Sequence, residues 1–265
     1  MPEPDGAAAD GIERRESRAS EQRKKRNPME SSERFEEIQI PLLESVHGLG
    51  HVRGVLGTPE WWPTGERVAV VVAHGSSKSC DDPLIEHLTR ALTARGILTL
   101  RFDFPFAEAG KRATSDSPVV LERTFKAAVA LLGRDPSALP ARLFVGGVGL
   151  GGRVAAELAA ERLHADGLFL LGFPLHVQDK PEKVDPDVLY RVTSPMLFVQ
   201  GTRDRRCQGE ALRRVLRRVG APIELHDVEH ADSNFHAPKK SGRRPAEVHA
   251  EILGVLSGWI ARRLR

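Results

Sequence analysis

Leu143-Phe144-Val145-Gly146-Gly147-Val148-Gly149-Leu150-Gly151-Gly152-Arg153-Val154-Ala155-Ala156 begins as a strand and ends as a helix. The apolar residues 143–145 make the extended half, and the run from Leu150 carries the helical half. Between them the residues are almost all glycine. Any side chain in a sharp strand-to-helix turn would meet neighbouring backbone, so small residues suit it. A strand that feeds directly into a helix is the start of a crossover, the connection that parallel strands need.

The same alternation extends in both directions. Toward the C-terminus follow strands over 167–171, 196–201 and 223–228, with helices over 210–219 and 246–264. Toward the N-terminus lie helix 119–132, strand 97–102 and helix 83–95. Before them Val68-Ala69-Val70-Val71-Val72-Ala73 is a continuous apolar run, as expected of a strand buried on both faces. Glu37-Ile38-Gln39-Ile40 and His51-Val52-Arg53-Gly54-Val55-Leu56 alternate instead, with Gly48 and Gly50 between them, which predicts an antiparallel hairpin. The sum is an α/β fold, a mainly parallel, doubly wound sheet with an antiparallel N-terminal edge and helices on both faces. No internal repeat and no second domain is evident. The segment 174–190 is rich in Pro, Asp and Lys, lacks periodicity, and sits where such sheets carry a lid or site loop.

Composition narrows the function. The chain has 265 residues, 40% hydrophobic and 28% charged, with a net charge of +3 and 5% aromatics. That suffices for one large core. It offers no clustered basic surface with interleaved aromatics, so no nucleic-acid partner is expected. No apolar run has the length of a membrane span, and the N-terminus has no hydrophobic signal core. Cys80 and Cys207 are too few for a disulfide framework. A cytoplasmic protein with free thiols is expected. Residues 1–34, mixed in charge and ending in Arg23-Lys24-Lys25-Arg26, hold too little apolar surface to fold and are expected to form a disordered tail before a domain over 35–265. The basic cluster reads as a solvated run, a localisation patch or an anion-binding patch, and Met29 offers a second translation start.

Several stretches together resemble a known family. These are Ala73-His74-Gly75, Leu100 to Gly110 (LRFDFPFAEAG), Gly151-Gly152-Arg153-Val154-Ala155, Pro195 to Asp204 (PMLFVQGTRD), and Ala231-Asp232 through Ser241-Gly242-Arg243. The chain resembles the α/β-hydrolases, in particular the dienelactone-hydrolase-like group that includes the testis-expressed hydrolase-like proteins and a subunit of the NSL histone-acetyltransferase complex. The resemblance implies an α/β-hydrolase fold and a catalytic Ser, Asp and His in that chain order. The elbow turn of such enzymes reads Gly-x-Ser-x-Gly. Gly147 and Gly151 match the flanking glycines, and the nucleophile position is Gly149. Asp204 matches the acid. The base is expected after the last strand, where His230-Ala231-Asp232-Ser233-Asn234-Phe235 places Ser233 at the His position. Serine attack requires a base that takes its proton, and the base requires an orienting carboxylate. Two of three positions therefore hold residues that cannot do the work, which reads as a catalytically impaired relative.

The backbone half of the machinery is independent of those side chains. The N–H groups of Leu150 and of Gly75 or Ser76 are the oxyanion-hole candidates, and with the helix N-terminus behind them they suit a small acyl or anionic ligand. A protein partner is a further option. A working hydrolase of small esters or thioesters would need unorthodox groups: His230 or His236 as a displaced base, and Ser76, Ser77, Ser79 or Cys80 as nucleophile. His74 reads as a structural hydrogen-bonding residue. The spacing Gly147-x-Gly149-x-x-Gly152, with Asp166 further on, also fits a dinucleotide fingerprint. That fingerprint normally follows the first strand, so no cofactor is expected. The histidines and acids form no metal-ligand spacing, and no metal is expected.

Overall fold

The computed structural model describes residues 33–265. Most of the tail over 1–34, with its basic cluster and Met29, falls outside the described residues. Eight strands form one sheet in the order β1-β2-β4-β3-β5-β6-β7-β8. They are β1 (Arg34–Val46), β2 (Leu49–Thr58), β3 (Val68–Ala73), β4 (Leu98–Phe102), β5 (Arg142–Val148), β6 (Gly167–Leu171), β7 (Met196–Gly201) and β8 (Ile223–Val228). β2 runs antiparallel to both β1 and β4, and all pairings from β4 through β8 are parallel.

The N-terminal hairpin is longer than the alternation in the sequence indicates. β1 has 13 residues and reaches Val46, which pairs with Leu49 across a two-residue turn. His47 and Gly48 both have positive φ, 54° and 82°, the geometry that matches the twist of a tight hairpin. The pairing shifts register between Pro41 and Val46, and that irregularity hides the alternation in Pro41-Leu42-Leu43.

The helices are α1 (Pro83–Thr93), α2 (Pro105–Glu108), α3 (Pro118–Leu131), α4 (Leu150–Ala160), α5 (Asp187–Arg191), α6 (Gly209–Leu216) and α7 (Pro245–Arg263). Pro at the first turn and an Asx or Ser cap set the starts of α1 and α3. The Asp82 carboxylate accepts from Leu84 N, and Ser117 Oγ accepts from Val120 N. α5 closes the segment 174–190, which a bridge between His176 and Val184 folds back on itself.

The sheet divides the core in two. Val68, Val70, Val72, Phe169, Leu171, Leu197 and Val199 face one side, with α1 and α7 packed over them through Leu84, Leu88, Ile252, Leu256 and Trp259. Ala69, Val71, Leu168, Leu170, Met196 and Phe198 face the other, under α3, α4 and α6. Consecutive strand residues thus enter different cores, which is why β3 carries no polar alternation. At the outer edge β8 is only partly buried, and its polar side chains are tied to the helices beside it. Glu224 pairs with Arg262 and Arg263, His226 with Glu251, and Asp227 with Arg213.

Candidate functional site

The site lies at the carboxyl ends of β3, β5, β7 and β8, where crossover loops converge. At its centre β5 turns into α4. Gly149 sits at the corner with φ 53° and ψ −110°, a backbone conformation that side chains occupy only under strain. The flanking glycines are required by contact. A Cβ on Gly147 would lie 2.3 Å from Ala73 O, and one on Gly151 would lie 2.5 Å from the same oxygen. Gly149 differs, because a Cβ there would meet only Gly172 O, at 4.0 Å. The elbow keeps its strained corner and the room for a side chain, but carries none.

The loop after β3 lies against this corner. Gly75 approaches Val148 O, and Ala73 approaches Gly151. Ser76 has no hydrogen-bond partner among the described residues. Leu150 is the first residue of α4, where an N–H has no carbonyl one turn back. Gly75 and Leu150 thus lie on two segments, a loop and a helix N-terminus, that meet at this corner.

Behind the loop His74 is fully buried and fully bonded. Its Nδ1 donates to Gly75 O at 2.8 Å, and its Nε2 accepts Phe104 N–H at 3.0 Å. Burial pushes its pKa down. Asp103 Oδ1 stands 3.5 Å from Nε2, but an Nε2 that accepts an amide proton belongs to a neutral ring, so this contact is no ion pair. His74 fixes the loop and transfers no proton. Cys80 is equally committed. Its N–H donates to Asp103 Oδ1 at 2.7 Å and its Sγ to Asp103 Oδ2 at 3.3 Å. Burial, then the Asp103 charge, raises the thiol's pKa, so it stays protonated and a poor nucleophile.

Asp204 follows β7. Arg206 N–H donates to Oδ1 at 2.7 Å and Gln200 Nε2 to Oδ2 at 2.5 Å. Burial pushes its carboxyl up to about 6, against the lowering effect of those two donors; the charge of Asp232 adds to the rise. Gln200 is itself buried, and its Oε1 has no partner. Gln200 lies within the stretch Pro195 to Asp204, but nothing in the sequence assigns it this role, because a side chain four residues from the acid carries no local signal of contact.

The loop after β8 completes the ring. Asp232 organises it by accepting the N–H groups of Asn234 and His236 on Oδ1, and buried Phe235 anchors it with φ 61°. Ser233 lies at the corner of this turn with its carbonyl against Gly172. Gly172 O in turn is the atom nearest the empty side-chain position of Gly149. Gly149 and Ser233 therefore flank one residue, Gly172, while Gly201 approaches Ala231 and Asp232 beside Asp204. His230 is exposed, with φ 63°, and its N–H is held by Thr202 Oγ1. His236 is exposed beside Asp232, at 3.9 Å.

Asp166 precedes β6, where it accepts Leu143 N–H and pairs with Arg142 at the start of β5. It lies at the opposite end of the sheet from the glycine turn, so acid and glycines form no common site. Among the described residues no group of three or more His, Cys, Asp or Glu side chains converges to hold a metal, and no helix is long and apolar enough to cross a membrane.

An eight-stranded sheet of this order, with a strained elbow after β5 and an acid after β7, defines an α/β-hydrolase architecture. The family described as an alpha/beta hydrolase domain matches residues 66–261, and the chain belongs to that family. Solved structures share the fold at low identity. A dienelactone hydrolase from Anabaena variabilis superposes with a TM-score of 0.65 at 18% identity, covering 88% of this chain and 100% of that one. An α/β serine hydrolase without a lid from Xanthomonas campestris gives 0.63 at 18%, covering 88% and 98%. An α/β serine hydrolase homologue from Coxiella burnetii gives 0.63 at 18%, covering 82% and 95%.

Proposed function

We propose that this chain is a catalytically impaired α/β-hydrolase that retains a ligand pocket, and that the ligand presents a small acyl or anionic group. The carrying observation is Gly149: the strained elbow is built, its flanking glycines are packed against Ala73 O, and the nucleophile position is an open space. Ser233 at the base position supports the same reading. A hydroxyl there cannot take a proton as imidazole does. The replacement groups argue against a rerouted mechanism, since Cys80 is buried and protonated, His74 is locked neutral, and His230 is exposed with its backbone N–H tied to Thr202. What persists is the pair of backbone donors near Ser76 and Leu150, which suits a carboxylate, a carbonyl or a phosphate. A protein partner held without turnover is the alternative occupant, and the two buried, free cysteines fit a cytoplasmic location.

The test is hydrolysis of short p-nitrophenyl esters by the natural protein and by the Gly149→Ser, Ser233→His double variant. Silence from the first with turnover by the second supports the reading. Turnover by the natural protein at enzyme-like rates overturns it, and Cys80→Ala, Ser76→Ala and His230→Ala would then locate the nucleophile and base.

A further inference from the structure

A strongly charged face lies outside the site. Between Asp187 and Val219 the chain has eight arginines and three acids, a surplus of +5 where the whole chain carries only +3. Four of these arginines lie on α6 and the two residues just past its end. One side of that helix, Ala211, Leu212 and Val215, is buried in the core. The other carries Arg213 and Arg214, followed by Arg217 and Arg218, all exposed. Each arginine of the first pair stands four residues from one of the second, so like charges stack along the helix and weaken it. Cations suit the last helical turn, which accounts for part of this pattern. The pairing does not account for the rest. Arg213 meets Asp227, and Arg218 lies over the Tyr190 ring at 5.3 Å. Arg214, Arg217 and the neighbouring Arg191 have no carboxylate partner among the described residues; Glu210, the acid of α6, forms no ion pair with them.

We propose that this arginine face is a docking surface for an acidic protein segment. Guanidinium forks bind carboxylates through paired donors and keep their charge at any physiological pH. The unpaired Arg214 and Arg217 stand three residues apart, a rise of about 4.5 Å, and their long side chains span the roughly 6.6 Å between alternate side chains of an extended peptide. An extended segment carrying alternating acids therefore reaches both unpaired guanidinium groups. Nucleic acid fits less well. The aromatic ring within the face, Tyr190, is covered by Arg218 and offers no base a stacking surface. The modest net charge of the chain supplies no wide electrostatic footprint.

The proposal stands apart from the hydrolase pocket and is tested without it. The probe is a fluorescein-labelled peptide of about twelve residues alternating Glu and Ser, long enough to span α6, titrated by anisotropy at about 0.15 M salt. It is compared with an oligothymidylate of equal charge. The natural protein should bind the peptide more tightly than the oligonucleotide. Arg214→Glu with Arg217→Glu should weaken peptide binding by about tenfold or more, while Arg95→Glu with Arg134→Glu, exposed arginines elsewhere, should leave it within about twofold. Circular dichroism confirms that both variants fold. Three results overturn the proposal: no binding, equal loss in both variants, which makes net charge the cause, or tighter binding of the oligonucleotide, which makes the partner a nucleic acid.

Discussion

Asp204 is held at a cost that its replacement by Asn would remove. Its carboxyl is pushed from 3.8 to about 6 by burial, so the folded state disfavours the charged form. The direction follows from proton linkage. A carboxyl whose pKa is higher in the folded state than in the unfolded state favours folding below the unfolded value, and that advantage disappears as pH rises through the folded value. Above pH 7 the buried charge therefore opposes folding. A rise of about two units at about 1.4 kcal/mol each gives roughly 3 kcal/mol. Asn has nearly the same shape. Its Oδ1 accepts Arg206 N–H as Asp204 does, and its Nδ2 donates to Gln200 Oε1, the buried oxygen that has no partner, once the Gln200 amide turns over. Asp204→Asn should stabilise the protein by up to about 3 kcal/mol at pH 8, with the gain shrinking through pH 6 and gone near pH 4. Guanidinium unfolding of both proteins from pH 4 to 8 measures this. A variant less stable than the natural protein at pH 8, or a difference that does not change with pH, refutes the reasoning and means that the Asp204 charge is well paid for by partners at this site.

The elbow glycines should separate by stability. Gly149→Ser should lower it by about 1–3 kcal/mol through backbone strain alone, whereas Gly151→Ala, whose Cβ would lie 2.5 Å from Ala73 O, should lose more, measured by the same unfolding curves. Cys80 and Cys207, both buried with raised pKa, should resist a thiol-specific disulfide reagent in the native protein and react on unfolding; rapid native labelling of Cys80 would contradict its burial against Asp103. His74 titrates below its ordinary value, so the stability it confers is present above pH 6.5 and lost as pH falls through its folded pKa. His74→Gln should flatten that acid limb while lowering stability at pH 7 by about 1–3 kcal/mol through its two lost buried hydrogen bonds.

Much of the fold is legible in the chain because the sheet imposes it residue by residue. Val68 to Ala73 is apolar without a break since its alternate residues enter two cores, and the glycine cluster at the end of β5 marks a turn where backbone passes within side-chain distance of β3. The helix ends differ from the expected ones by a few residues, where fraying competes with capping. Legibility fails where contacts cross between loops. Nothing local to Gln200 signals its bond to Asp204, and nothing local to Asp103 signals that it holds Cys80. The segment 174–190 shows no periodicity because its order comes from elsewhere: His176 accepts Gln208 N–H, and Asp179 pairs with Arg205, both on the loop after β7. Pro41 and the register shift similarly conceal a strand that the partner β2 specifies.

That shift in β1 bears on how the protein behaves at high concentration. The ends of an open sheet are templates on which other chains can add strands. Here β1 presents Pro41, which has no N–H to offer, at a place where pairing already slips. At the far end β8 is six residues long, and its charged side chains are engaged by α6 and α7. Neither border of the sheet offers a long, regular, apolar ladder, so self-association by strand addition is disfavoured and the sheet stays closed to further strands.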